Sequence, residues 1–149
     1  MAYRALFAAA LAACSFTSAN AGEVVIGLSG ALTGPTAGSY APAIDAMRIY
    51  FDRLNKAGGV DGTSVRLILQ DDQGEASKGA ANAKKLLSQD KVDLLINASL
   101  SSTYAPMIAE TKRAKVPLLF AASVCPEQTY PPAEANLFCT TAFAAKYDS

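Results

Sequence analysis

The side chains that could carry chemistry in this chain of 149 residues are carboxylates, hydroxyls and thiols, because there is no histidine and no tryptophan. The lack of histidine removes the imidazole general base, the Ser-His-Asp and Cys-His nucleophile pairs and His-ligated zinc. The three cysteines form no Cys-x-x-Cys motif of the kind that holds a metal or does redox work. We therefore expect no catalytic residues, no metal ion and no cofactor.

Two adjacent carboxylates, Asp71 and Asp72, follow a short apolar run. Neighbouring residues of a strand point to opposite faces of a sheet, so the two are poorly placed to act together as a general acid and base. Aspartate at the start of a turn commonly hydrogen-bonds to the turn that follows. The sequence therefore predicts that this pair caps a turn or binds loop backbone.

Three consecutive hydroxyls, on Ser101, Ser102 and Thr103, lie between an apolar run and a segment with helical spacing. One of them is enough to cap a helix N-terminus. The others would be left beside unpaired backbone N–H groups, which suit a carboxylate or another anion. This segment is the strongest candidate for a ligand site.

A glycine-rich segment, Gly30–Ser39, raises the alternative of nucleotide binding. Its glycines do not form G-x-G-x-x-G, and the chain has no Gly-Lys-Ser/Thr of a phosphate-binding loop. Apart from one basic residue near the N-terminus, the other 12 basic residues nearly balance the 13 acidic ones. Such a balance does not favour nucleic-acid binding.

The first 21 residues are typical of a secretory signal peptide. Arg4 is their only charged residue, an apolar stretch follows it, and Ala19-Asn20-Ala21 is a small-x-small cleavage site. The apolar stretch is shorter than the roughly 20 residues that a membrane span needs. We expect export after cleavage behind Ala21; the alternative is a lipoprotein anchored through Cys14, since Leu11-Ala12-Ala13-Cys14 resembles a lipobox.

Cys125 and Cys139 remain as an even pair in an oxidising compartment. They flank Pro126, Pro131 and Pro132, which prevent a helix between them. The sequence predicts a disulfide that closes this loop.

Five apolar runs alternate with segments of helical spacing. Strands are predicted at residues 24–29, 65–69, 92–96, 117–121 and 137–140, and helices from about Tyr40 to Gly58, at 77–89 and from about 101–103 to 114. Such alternation predicts an α/β fold, a parallel sheet with flanking helices. Ligands of these sheets bind beyond the carboxyl ends of the strands. No helix follows the fifth predicted strand, so we expect an incomplete unit.

Five segments follow one another along the chain: Val24–Thr36, Leu54–Gly62, Asp71-Asp72, Ala81–Leu87 with Asp90–Asp93, and Lys115–Leu118. Together and in this order they resemble the leucine/isoleucine/valine-binding protein family, the type I periplasmic solute-binding proteins of ABC importers. The resemblance implies two α/β lobes joined by a hinge, with a ligand in the cleft and a membrane permease as partner. Residues 22–149 would form an incomplete N-terminal lobe, the second lobe being absent.

The resemblance also implies which residues line the cleft. They are Leu32 and Tyr40 after the first strand, Ser101 or Ser102 before the third helix, and Ala122, Ser123 and Val124 after the fourth strand. The expected protein is a periplasmic, non-catalytic binder of a small carboxylate, such as a branched-chain or other hydrophobic amino acid or an aromatic acid. The alternatives are a ligand-sensing receptor domain of the same fold and a nucleotide-dependent α/β enzyme.

Overall fold

The computed structural model describes residues 22–121, 124–130 and 133–140. The predicted signal peptide and two predicted cleft residues, Ala122 and Ser123, lie outside these ranges. The described elements are, in chain order, β1 (Glu23–Gly30), α1 (Ala37–Lys56), β2 (Ser64–Asp71), α2 (Ala76–Ser88), β3 (Leu94–Ala98), α3 (Tyr104–Ala114), β4 (Leu118–Phe120) and β5 (Leu137–Cys139). Two short 3₁₀ turns, Ser101–Thr103 and Glu127–Thr129, complete them. The predicted α/β class is confirmed.

All five strands form one parallel sheet in the order β2-β1-β3-β4-β5. The chain adds β2 on one side of β1 and then adds β3, β4 and β5 on the other side. The direction of strand addition therefore reverses between β1 and β3. In an open parallel sheet, the crevice at the carboxyl ends of two such strands is where ligands bind.

Each face of the sheet has its own apolar core. On one face, Ile44 of α1 packs against Ile26 and Leu28 of β1 and Ile96 of β3. On the other face, α2 and α3 pack against the strands through a larger buried cluster: Val25, Ala83, Leu86, Val92, Leu95, Tyr104, Met107, Ile108, Leu118, Phe120 and Leu137. Burial on both faces explains why β1 and β3 read as continuous apolar runs in the sequence.

Most predicted boundaries lie within one or two residues of the observed ones, and the starts of α1 and β3 are among those that differ. Helix α1 begins at Ala37 rather than near Tyr40, because hydrogen bonds from Ala37 N–H to Gly34 O and from Ser39 N–H to Thr36 O close its first turn. Gly38 and Ser39 in that turn are exposed, so they left no apolar periodicity to detect. Strand β3 begins two residues later than predicted, at Leu94. Within the part of the chain that the structure describes, no helix is both long and apolar enough to cross a bilayer.

Candidate functional site

The loops after β1, β2, β3 and β4 all leave the sheet at its carboxyl edge, as predicted. The loop after β1 starts with a hydrogen bond from Ala31 N–H to Ala98 O (3.2 Å), at the end of β3. The loop after β4 starts with one from Ala121 N–H to Asn97 O (2.8 Å). These bonds place the beginnings of three loops side by side around the reversal point of the sheet.

Asp71 binds the loop after β1. Its Oδ1 accepts hydrogen bonds from the backbone N–H groups of Leu32 (3.1 Å), Thr33 (3.2 Å) and Gln73 (3.0 Å), and its Oδ2 accepts one from the Thr33 hydroxyl. Partial burial raises the pKa of Asp71, but the hydrogen bonds from Thr33, Gln73 and Leu32 together outweigh this effect and hold the pKa below its ordinary value. The predicted binding of loop backbone is confirmed.

Asp72 is fully buried and points to a different set of partners. Its carboxylate accepts hydrogen bonds from the Ser29 hydroxyl (2.8 Å), the Ser99 hydroxyl (2.5 Å) and the Gly74 backbone N–H (2.9 Å). The Ser29 oxygen in turn accepts a hydrogen bond from the Asn82 amide (3.1 Å). This one carboxylate therefore connects β1, the turn after β2 and the loop after β3.

The hydroxyls of Ser101, Ser102 and Thr103 do not cap α3, so that part of the prediction is wrong. These residues form a 3₁₀ turn that runs directly into the helix. The Ser102 hydroxyl donates to Gly74 O (2.9 Å), and the Thr103 hydroxyl donates to Leu100 O (2.8 Å). Ser101 is exposed, and its hydroxyl makes no hydrogen bond to any described residue. Ser101 is thus the best placed of the three to donate to a ligand.

The other predicted cleft residues lie around the same edge. Leu32 is half-buried at the start of the loop after β1, and Tyr40 is half-buried in α1, where it contacts both apolar cores. Val124 is exposed in the loop after β4. The cleft role assigned to these residues stays a prediction.

Sequence reasoning missed Tyr104, the first residue of α3. Its ring packs on Phe120 with centroids 4.8 Å apart, and its hydroxyl donates to Val124 O (2.8 Å). Burial, with a smaller contribution from Tyr40, raises the pKa of Tyr104 to about 12. Tyr104 therefore attaches the loop after β4 to α3 as a neutral phenol. The sequence signal that could have singled out Tyr104 is its helical spacing to Met107 and Ile108. That spacing predicts only a position in the core.

The predicted disulfide is present between Cys125 and Cys139, with Cα atoms 5.8 Å apart. It joins the loop after β4 to β5. Among the described residues, no group of three or more acidic, cysteine or histidine side chains could hold a metal ion. Two surface cavities of about 160 and 270 Å³ lie elsewhere, one at the amino end of β5 and one between α2 and α3.

Known proteins are similar to this chain in sequence and in fold. Residues 23–146 match the family described as periplasmic binding protein. A Leu/Ile/Val-binding protein of Rhizobium johnstonii is 30% identical over 107 residues, which are 72% of this chain and 29% of that protein.

Solved structures show the same fold. A branched-chain amino acid transporter substrate-binding protein of Streptococcus pneumoniae, crystallised with isoleucine, superimposes with a TM-score of 0.72 at 25% identity, over 81% of this chain and 34% of that chain. A solute-binding protein of an ABC transporter from Rhodopseudomonas palustris, in complex with 3,4-dihydroxybenzoic acid, superimposes with a TM-score of 0.67 at 21% identity, over 80% of this chain and 32% of that chain. The chain thus spans about a third of the length of the proteins it matches. It belongs to the periplasmic binding protein family, and its sequence and fold are similar to those of leucine/isoleucine/valine-binding proteins.

Proposed function

We propose that the protein carrying this chain is the solute-binding component of an ABC importer and captures a small carboxylate between two lobes. The observation that carries this proposal is the position of Ser101 at the reversal point of the sheet. There an exposed hydroxyl without a partner among the described residues lies beside the N-terminal end of α3. The S. pneumoniae relative, crystallised with isoleucine, supports an amino acid as one candidate ligand.

In this proposal the ligand carboxylate lies against the Ser101–Thr103 turn. The hydroxyl of Ser101 and the backbone N–H groups of Ser101 and Ser102 donate to it, and the dipole of α3 adds partial positive charge. Leu32 and Tyr40 line the apolar side of the cleft, together with the loop residues Ala122, Ser123 and Val124. In this proposal a second lobe supplies the opposite wall.

Calorimetry on the full-length protein tests the ligand class. We expect L-isoleucine or 3,4-dihydroxybenzoate to bind, while glucose and ATP do not. Ser101→Ala removes one donor hydroxyl and should weaken binding about fivefold, equivalent to roughly 1 kcal/mol. Ser88→Ala at the end of α2 is the matched control and should not change affinity, because among the described residues the Ser88 hydroxyl bonds only the Lys84 carbonyl. Preference for the sugar or the nucleotide, or full affinity in Ser101→Ala, would overturn the proposal.

We also propose that the protein is exported and that its leader ends at Ala21. The position of β1 supports this boundary, because β1 begins at Glu23, two residues beyond Ala21. Mass spectrometry of the exported protein should give an N-terminus at Gly22 or Glu23. A lipid-modified N-terminal Cys14 would show that the protein is anchored to a membrane and would contradict cleavage after Ala21. Retention of Met1 would contradict both cleavage after Ala21 and lipid anchoring through Cys14.

A further inference from the structure

We propose that Asp71 and Asp72 are positioning residues for ligand binding, each holding one of the two loops that flank the crevice between β1 and β3. This inference rests on the proposed function, because it assigns the pair a role at that same site. Neither carboxylate is expected to touch the ligand. Their effect is to fix the positions of the groups that do.

Asp72 controls the loop after β3 by two routes. The direct route is the hydrogen bond that the Ser99 hydroxyl donates to its Oδ1 (2.5 Å). The indirect route runs through Gly74, whose N–H donates to the same oxygen (2.9 Å) and whose carbonyl accepts a hydrogen bond from the Ser102 hydroxyl (2.9 Å). Both routes end beside Ser101, the candidate ligand donor.

Gly74 makes the indirect route possible. It has a φ of +78°, and a Cβ atom at this position would lie 2.8 Å from the Leu100 side chain. A residue with a side chain would strain the turn and push Leu100 away. The close approach of this turn to the loop after β3 therefore depends on glycine.

Asp71 controls the loop on the other side of the crevice. It binds the N–H groups of Leu32 and Thr33 and also the Thr33 hydroxyl, so three donors of one short loop converge on one carboxylate. Asp71 is the last residue of β2 and Asp72 follows it directly, and their carboxylates bind different partners, so this Asp-Asp pair reaches both loops. The protein groups that contact a ligand must be held within about 0.5 Å of the positions that binding requires. Loops anchored in this way meet that condition better than loops fixed only at their ends.

The test compares three alanine variants of the full-length protein. Ser99→Ala removes the direct bond from Asp72 to the loop after β3, and Asp71→Ala releases the loop after β1. Asn55→Ala is the control, because Asn55 holds the backbone of Val65 by two hydrogen bonds at the opposite edge of the sheet. All three should lower the thermal midpoint, but only the first two should change ligand binding.

The readouts are the Kd for L-isoleucine and for 3,4-dihydroxybenzoate and the amide hydrogen exchange of the free protein. We expect Ser99→Ala and Asp71→Ala to raise Kd about tenfold. Amide hydrogen exchange should become faster at Thr103 in Ser99→Ala, and at Leu32 and Thr33 in Asp71→Ala. Asp71→Asn should recover most of the affinity, because its amide oxygen still accepts the backbone N–H bonds.

The inference is wrong if the Asn55→Ala control loses as much affinity as the other two variants. It is also wrong if Ser99→Ala and Asp71→Ala leave both the Kd and the amide hydrogen exchange unchanged. If the wild-type protein binds neither probe, the proposed function fails while exchange still decides whether the carboxylates hold the loops. Faster exchange confined to the loop that each variant releases would support the positioning role. Exchange raised equally throughout the sheet would contradict it.

Discussion

Asp71 and Asp72 are adjacent in the chain but stabilise different parts of the molecule. Among the described residues, neither is paired with a lysine or arginine; hydrogen-bond donors surround both carboxylates instead. Hydrogen bonds to an ionised acceptor are stronger than those between neutral groups. At the residue scale, the charge on Asp71 is therefore a source of loop stability that depends on pH.

Stability should fall in acid because of Asp71. Its folded-state pKa is held below its unfolded-state pKa, so the stabilisation is fully present above the unfolded-state pKa and is lost as the pH falls through the folded-state value. Urea unfolding of wild type and Asp71→Asn should differ in free energy at about pH 5, and the difference should shrink below about pH 4. Thr33→Val, which removes the hydroxyl donor, should show a smaller pH dependence than wild type. If the difference in free energy of unfolding between wild type and Asp71→Asn stays constant down to about pH 2, this account is wrong.

At the element scale, the contact between α2 and the Ser101–Thr103 turn depends on the absence of a side chain. Gly79 is buried in α2, and a Cβ atom there would lie 3.0 Å from Cβ of Thr103. Thr103 is fully buried, and its hydroxyl bonds both Asn97 and Leu100, so it has little freedom to shift. By contrast, a Cβ at Gly38 in the first turn of α1 would meet nothing within 4 Å.

The two glycines should therefore respond oppositely to alanine. Gly38→Ala should stabilise the fold by about 0.5 kcal/mol, because alanine loses less backbone entropy in a helix. Gly79→Ala gains the same helical preference but must push the turn before α3 away, which costs about 1–3 kcal/mol for overpacking. Thermal unfolding of both variants checks the signs. Stabilisation by Gly79→Ala would show that the turn moves freely, which would also weaken the case for a rigid ligand site.

At the scale of the whole molecule, β4 and β5 are the two shortest strands of the sheet, and β5 lies at its edge. Strands β4 and β5 have three residues each, whereas β1 and β2 have eight. Three sets of contacts hold this edge together: the Cys125–Cys139 disulfide, the hydrogen bond from Tyr104 to Val124, and the hydrogen bonds from Thr140 to Phe120. Of these, the disulfide is the one that also restricts the unfolded chain.

Removing the disulfide should destabilise the protein by about 3 kcal/mol, since it closes a loop with a sequence separation of 14. The variant is Cys125→Ser with Cys139→Ser, and the measurement is urea unfolding without reductant. A reducing agent should lower the stability of wild type to that of the variant and leave the variant unchanged. Two reactive thiols in the unreduced, denatured mature protein would show that the bond is absent.

The sequence by itself determined the elements and the class of fold. Helix and strand periodicities are local properties, so the apolar runs at 24–29 and 65–69 and the helical spacing at 77–89 correspond to β1, β2 and α2 with shifts of one or two residues. The disulfide was also predictable, because an even pair of cysteines around a proline-rich loop leaves one intrachain pairing. The start of α1 was not, because exposed residues of a first turn carry no periodic signal.

The tertiary structure decided which polar groups meet. Ser29 and Ser99 reach Asp72 across separations of 43 and 27 residues, and Ser102 bonds Gly74 across 28. No local pattern encodes these contacts, because they depend on strand order and on which loops the crossovers bring to one edge. The capping prediction was wrong because the hydroxyls of Ser102 and Thr103 bond carbonyl groups at the carboxyl edge of the sheet instead. Ser101 is exposed, and its hydroxyl makes no hydrogen bond to the described residues.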